Sequence, residues 1–169
     1  EHTLQAQIEQ GNWSENVSQD IVLQNYRNKT ALGRWPIGAA TIVNDEISDQ
    51  DKENIRKFSE LVAIAAQIKN DLDDIIGTGD EKYEAPMKDL QEKVLNYPIA
   101  LFLSVASIDD KKRFLSECWG QKVTLMTIQN TRKLLDGYDI FEQCIVEIEK
   151  WLSLASSSIR KLPYSYRKL

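Results

Sequence analysis

Between Phe58 and Ile76 the apolar residues recur at a spacing that suits a helix and no other regular element. Leu61, Ile64, Ile68, Leu72 and Ile75 follow one another every three or four positions, and at ~100° per residue they form one stripe that can face a core. Beside it runs a second stripe, in which Gln67, Asn70, Asp71 and Asp74 fall at i, i+3, i+4 and i+7 while Asp73 points elsewhere. Amides and carboxylates in that position sit at the border between a packed interior and something wet. Two carboxylates one turn apart supply hard oxygen ligands for Mg²⁺, which prefers one or two carboxylates completed by waters and substrate phosphates. A solvated acidic face gives the same spacing and is the commoner outcome.

The flanking sequence also reads as helices. Ser18 is placed to cap a helix that runs through Ile21, Val22, Leu23 and Tyr26 to Lys29, and Ser48 to cap the long helix that ends at Gly77. Residues 77–96, with Pro86 among them, read as a loop. Pro98 then fits the first turn of a further helix, whose Ile99, Leu101, Phe102, Leu103 and Val105 are too apolar for a surface. Asp109 is read as the cap of a short helix ended by Gly120. Residues 123–135 form another helix, and a last one over 140–159 sets Ile145, Ile148, Leu152 and Ala155 on one face. With Gly and Pro few, the predicted fold class is all-α in a single domain.

Other classes of function are disfavoured by composition. A net charge of −5 with no basic stripe argues against a nucleic-acid binder, and the basic residues Arg160, Lys161, Arg167 and Lys168 cluster only in the tail. No apolar run approaches the ~18 residues of a membrane span, and no signal-peptide pattern opens the chain, so a cytoplasmic, non-transmembrane protein is expected. Cys118 and Cys144 fall within helical patterns and are expected as buried free thiols. The asparagines of the Asn-x-Ser/Thr triplets, Asn12, Asn16 and Asn28, then have no meaning as glycan sites. His2 is the single histidine, which leaves no Ser/His or Cys/His arrangement and no Cys/His metal cluster.

Three segments carry a family resemblance. Ala66-Gln67-Ile68-Lys69-Asn70-Asp71-Leu72-Asp73-Asp74 resembles the second aspartate-rich motif, F-Q-I-x-D-D-x-x-D, of the trans-isoprenyl diphosphate synthases (polyprenyl synthetase family). Asn28-Lys29-Thr30-Ala31-Leu32, followed by Gly38-Ala39, resembles the upstream K-T-x-x-L segment. Asp89-Leu90-Gln91-Glu92, with Tyr97-Pro98-Ile99-Ala100-Leu101 after it, resembles the downstream D-L-x-E-G-K-x-T-x-P-L segment. Nothing upstream of Lys29 resembles the family's first aspartate-rich motif, although Gln5 or Gln7 could stand for the glutamine of its G-Q-x-x-D motif. The chain also begins at Glu1 without a methionine. It is therefore expected to be the C-terminal part of the isoprenoid-synthase helical bundle.

The resemblance implies a Mg²⁺-dependent prenyltransferase that ionises an allylic isoprenyl diphosphate. It implies Asp71 and Asp74 as metal ligands, with Asn70 as a neutral ligand or outer partner. Lys29 would contact diphosphate, Thr30 would stabilise positive charge during reaction, and Gln67 would join the catalytic and substrate-binding set. The family's two loop lysines fall near Ala85 and Val94, so Lys82, Lys88 or Lys93 would have to substitute, and Asn96 stands where the family has threonine. The prenyl acceptor would be isopentenyl diphosphate. The acceptor could instead be a tryptophan of a precursor peptide, as in ComQ-type isoprenyltransferases, which a site built for one diphosphate would suit. A non-catalytic subunit of a heteromeric prenyl synthase is the alternative. A homodimer or heterodimer is implied in each case.

Overall fold

The computed structural model describes residues 19–30, 47–77 and 86–162, and among them only helices, turns and short connections occur. Seven helices follow in order: α1 (Gln19–Lys29), α2 (Asp49–Ile76), α3 (Lys88–Gln91), α4 (Tyr97–Val105), α5 (Ile108–Glu117), α6 (Leu125–Asp136) and α7 (Ile140–Ile159). The expectations for Gln5, Gln7, Ser18, Lys82, Arg167, Lys168 and the stretch 31–46 lie outside the described residues.

The bundle is organised by the pairing of its two longest helices, α2 and α7. On α2 the whole predicted stripe, Leu61, Ile64, Ile68, Leu72 and Ile75, is buried. Each such side chain removed from water contributes about 1.5 to 3 kcal/mol, so this face alone fixes how the helix lies. Helix α1 packs against α2 and α4, with Val22 and Tyr26 fully buried. Arg27 ties α1 to the central pair as well: its Nε lies 3.2 Å from Glu60 on α2 and its guanidinium 5.6 Å from the ring of Trp151 on α7.

Helix ends follow local chemistry. Ser48 accepts the Asp51 amide at 3.1 Å, as expected. The short helix α5 is capped by Ser107, not Asp109: the Ser107 hydroxyl accepts the Asp110 amide at 3.1 Å, which leaves Asp109 inside the first turn. A serine hydroxyl two residues upstream of an aspartate competes equally well for the role. Thr124 likewise caps α6, one position later than the predicted start. At the far end of α2, Gly77 turns with φ 79°, and Arg132 from α6 donates to the carbonyls of Ile75 at 2.9 Å and Ile76 at 2.5 Å. A guanidinium there satisfies orphan carbonyls and complements the helix dipole.

Three further expectations are corrected. The stretch 77–96 is not loop throughout, because α3 and the turns around it occupy residues 86–93. On α7 the core face is made by Ile140, Cys144, Trp151, Ala155 and Ser158, while Ile145 and Leu152 are about half exposed. Apolar residues on both sides of α7 made two stripes available, and the large indole of Trp151 settled which one turned inward. Val105, the last residue of α4, is exposed, whereas Ile99, Leu101, Phe102 and Leu103 are buried as predicted. Both cysteines are free and buried.

Candidate functional site

The site is assembled where α1, α2 and the segment from α3 to α4 meet. Asp71 lies on the buried side of α2, 4% exposed. Its Oδ1 accepts from Gln67 Nε2 at 2.9 Å, one helical turn earlier. Its Oδ2 accepts from the hydroxyl of Tyr26 on α1, and the Tyr97 amide at the start of α4 lies 3.4 Å from the same oxygen. Burial raises the Asp71 carboxyl to about 6 against the pull of those hydrogen bonds, and the neighbouring charge of Asp89 adds to the rise. The same burial, with the Asp71 charge beside it, holds the Tyr26 hydroxyl well above its ordinary value, so the proton between them stays on the phenol.

Asp74, one turn beyond Asp71, is differently placed. Its Oδ1 accepts the Lys88 amide at 3.3 Å, but its Oδ2 is buried with no hydrogen-bond partner. Burial first, and the charge of Asp89 second, push its carboxyl to about 6. Asp89 itself is raised, chiefly by desolvation, and is eased downward by a hydrogen bond from Asn96 and by the Lys29 charge. The Asn96 side chain does two jobs from a fully buried position: Nδ2 donates to Asp89 Oδ2 at 3.4 Å and Oδ1 accepts the Ile99 amide at 3.3 Å, capping α4. An asparagine supplies both a donor and an acceptor where a threonine hydroxyl would have to share one atom.

Asp74 and Asp89 are both raised by burial, the charge of Asp89 adds to the rise of Asp74, and Asp74 keeps a buried orphan oxygen, so a cation bound here would relieve both desolvation and repulsion. Among the described residues no three His, Cys, Asp or Glu side chains converge as a complete cage. That donor set fits Mg²⁺, which accepts two carboxylates and fills its remaining positions with water and phosphate oxygen.

The structure brings Gln67, Asp71, Asp74 and Lys29 into one neighbourhood; the charge of Lys29 acts on both Asp71 and Asp89. Asn70 is exposed on the outer side of the same turn. Thr30 directs its hydroxyl into the helix, 2.7 Å from the Tyr26 carbonyl. Of the loop lysines, Lys88 acts electrostatically on Asp89, whereas Lys93 is exposed, sits at φ 57° and lays its stem across Gly120. Asp73 pairs with Lys69 on the outer face and takes no part. Tyr26 and Asp89 were missing from the sequence-based site. Tyr26 stands one turn before Lys29 and reads there as ordinary core, and Asp89 is visible in the D-L-x-E segment but carries no spacing signal linking it to α2.

Solved structures with the same fold include a geranylgeranyl pyrophosphate synthetase from Pyrococcus horikoshii (TM-score 0.83, 19% identity, 96% of this chain and 50% of that one). A decaprenyl diphosphate synthase from Rhodobacter capsulatus matches with TM-score 0.79 and 20% identity over 96% of this chain and 50% of that one. A polyprenyl synthase from Roseobacter denitrificans matches with TM-score 0.77 and 21% identity over 96% and 53%. The chain thus spans about half the length of these proteins. No curated protein sequence matches it. The sequence profile of the polyprenyl synthetase family matches residues 1–134, which include α1, the acidic stretch of α2 and the segment from α3 to α4. The chain belongs to the polyprenyl synthetase family.

Proposed function

We propose that this chain is the C-terminal part of a Mg²⁺-dependent prenyltransferase that ionises an allylic isoprenyl diphosphate and adds its prenyl group to isopentenyl diphosphate. The observation that carries this reading is the pair Asp74 and Asp89, with a buried unpartnered carboxylate oxygen on the first and the Lys29 charge acting on the second. It is supported by family membership and by the prenyl diphosphate synthases that share the fold. Asp74 and Asp89 would hold the metal, with Asn70 offering a neutral carbonyl at the exposed edge and the counterpart aspartates supplied by the preceding part of the domain. Bound there, Mg²⁺ supplies charge that neutralises a departing pyrophosphate.

The chain's own residues supply the rest. Lys29 donates to a diphosphate oxygen as a compact cation. The allylic C–O bond breaks with its electron pair leaving on pyrophosphate, the double bond of the acceptor attacks the resulting cation, and a proton is lost from the adduct. Negative charge grows on the leaving group during the first step, so a prepositioned ammonium acts more strongly on the transition state than on the bound substrate. Gln67, by holding Asp71, and Thr30, by closing the last turn of α1, keep the two helices that carry these groups in place.

A second reading takes a tryptophan of a precursor peptide as acceptor, in the manner of ComQ-type enzymes. It is favoured by the asparagine at position 70 and by Ala85 and Val94 standing where the family has lysines, since a site for one diphosphate needs fewer cationic contacts. Either way a dimeric assembly in the cytoplasm is the expected setting. The experiment uses the full-length protein with Mg²⁺ and radiolabelled geranyl or farnesyl diphosphate, and offers isopentenyl diphosphate or a tryptophan-containing peptide. A longer prenyl diphosphate supports elongation, and labelled peptide supports the second reading. No turnover with either identifies a non-catalytic subunit and overturns both.

A further inference from the structure

Three segments of the chain meet at one buried phenol. The Tyr26 hydroxyl donates to Asp71 on α2 and accepts the Tyr97 amide at 2.7 Å, while Asp71 is held from its other side by Gln67 at 2.9 Å. Tyr26 is wholly buried. Each of the three segments carries one of the charged groups of the proposed site a short distance from this junction. Lys29 lies three residues, about one turn, beyond Tyr26 on α1, and Asp74 lies three residues beyond Asp71 on α2. Asp89 is tied by hydrogen bond to Asn96, the residue that immediately precedes Tyr97.

Such a junction is a poor way to gain stability, because a buried carboxylate costs desolvation that an apolar residue of similar volume avoids. What it does provide is registry. A slip of one residue along α1 would turn Lys29 by ~100°, and it would strand the Asp71 oxygen, the phenol and the Tyr97 amide without partners. Apolar contacts alone, being non-directional, impose no such condition.

We propose that Tyr26 is a positioning residue: through Asp71, which serves as its acceptor and not as a metal ligand, it sets Lys29, Asp74 and Asp89 in the relative placement that binds a divalent cation together with a diphosphate. The inference rests on the reading of that site given above. It separates the two aspartates of α2 by role, with Asp74 facing the ion and Asp71 facing the phenol.

The test is calorimetric titration of the full-length protein with Mg²⁺ and inorganic pyrophosphate, at a temperature where every variant is fully folded. Tyr26→Phe removes one hydroxyl and no ligand, and is expected to weaken binding by about threefold to thirtyfold, the effect of a residue that touches neither ion nor diphosphate but holds in place the segments that do. Asp71→Asn keeps an oxygen for Tyr26 and Tyr97 and offers its NH₂ to a turned Gln67 amide, so its loss should fall well short of that in Asp74→Asn. A purely structural role for Tyr26 would lower the unfolding temperature of Tyr26→Phe and leave the affinity of the folded protein unchanged, which would overturn the proposal. Equal losses in Asp71→Asn and Asp74→Asn would overturn it independently by making Asp71 a ligand, and this comparison decides the matter if Tyr26→Phe does not fold. Failure of the unsubstituted protein to bind Mg²⁺ and pyrophosphate would instead remove the site itself, and the proposal with it.

Discussion

Among the described residues two tyrosine–aspartate pairs are built on the same plan, and they behave in opposite ways. In one, the Tyr97 amide at the start of α4 donates to the Tyr26 hydroxyl, which donates to Asp71. In the other, the Ser107 amide at the start of α5 donates at 3.0 Å to the Tyr138 hydroxyl, which donates at 2.5 Å to Asp110. Asp71 is buried and its carboxyl is raised to about 6, with desolvation the largest cause. Asp110 is only partly buried and its carboxyl is lowered, with the hydrogen bonds from Tyr138 and Ser107 the largest causes. The phenol pulls both carboxyls downward, and the net shifts are opposite because desolvation outweighs that pull only at Asp71. A phenol beside a carboxylate is an ordinary surface tie in one place and a high-stakes junction in the other.

Breaking the acceptor should separate the pairs most widely. Asp71→Ala leaves the buried Tyr26 hydroxyl without an acceptor, while the Tyr97 amide keeps that hydroxyl as its partner, and is expected to cost about 1 to 3 kcal/mol in stability from the desolvation of the stranded phenol. Asp110→Ala lets water replace the carboxylate and should move the denaturant midpoint far less. Chemical denaturation of the two variants side by side checks this, and equal costs would mean that burial is not what distinguishes the pairs.

Removing the donors is a gentler version of the same comparison. Tyr26→Phe should cost about 1 to 2 kcal/mol, since the Tyr97 amide loses a buried partner, and Tyr138→Phe should cost less than half of that on the same denaturation assay.

The pH dependence sharpens the contrast further, because the two carboxylates should slope in opposite directions. Asp71 binds its proton more tightly folded than unfolded. Its contribution to stability is therefore fully present below the unfolded carboxylate value of ~3.9 and is lost as pH rises through about 6. Asp74, also raised to about 6, acts in the same sense. Asp110 is depressed, so its contribution is present above the unfolded value and disappears as pH falls through its lower folded value. Thermal unfolding in metal-free buffer across this range should lose part of its slope between pH 4 and 6 in Asp71→Asn, with Asp74 supplying the remainder. Asp110→Asn should leave that window untouched and flatten only the acid limb.

These pairs also show what a sequence discloses. The all-α class, the buried stripe Leu61, Ile64, Ile68, Leu72 and Ile75, and the caps at Ser48 and Gly77 were legible because each depends on residues within a turn or two. Gln67, Asp71 and Asp74 could be placed on one stripe for the same reason. Their division of labour could not, because it depends on partners 45 residues away for Tyr26 and 26 residues away for Tyr97. Asp89 was hidden by the same distance, and Ile145 and Leu152 on α7 were misplaced because a helix with two apolar stripes does not say which one its neighbours will cover.

The central claim is that the chemistry sits at the buried end, on Asp74 and its neighbours. The most direct test is the rate of pyrophosphate release from farnesyl diphosphate by the full-length protein at saturating Mg²⁺ and acceptor, with Asp74→Asn compared against the unsubstituted protein. The expected result is a fall of about a hundredfold or more, with the unfolding midpoint unchanged or raised because repulsion with Asp89 is relieved. Turnover within about threefold of the unsubstituted enzyme, in a variant that remains folded, falls far short of the loss expected for such a contact and would contradict the account.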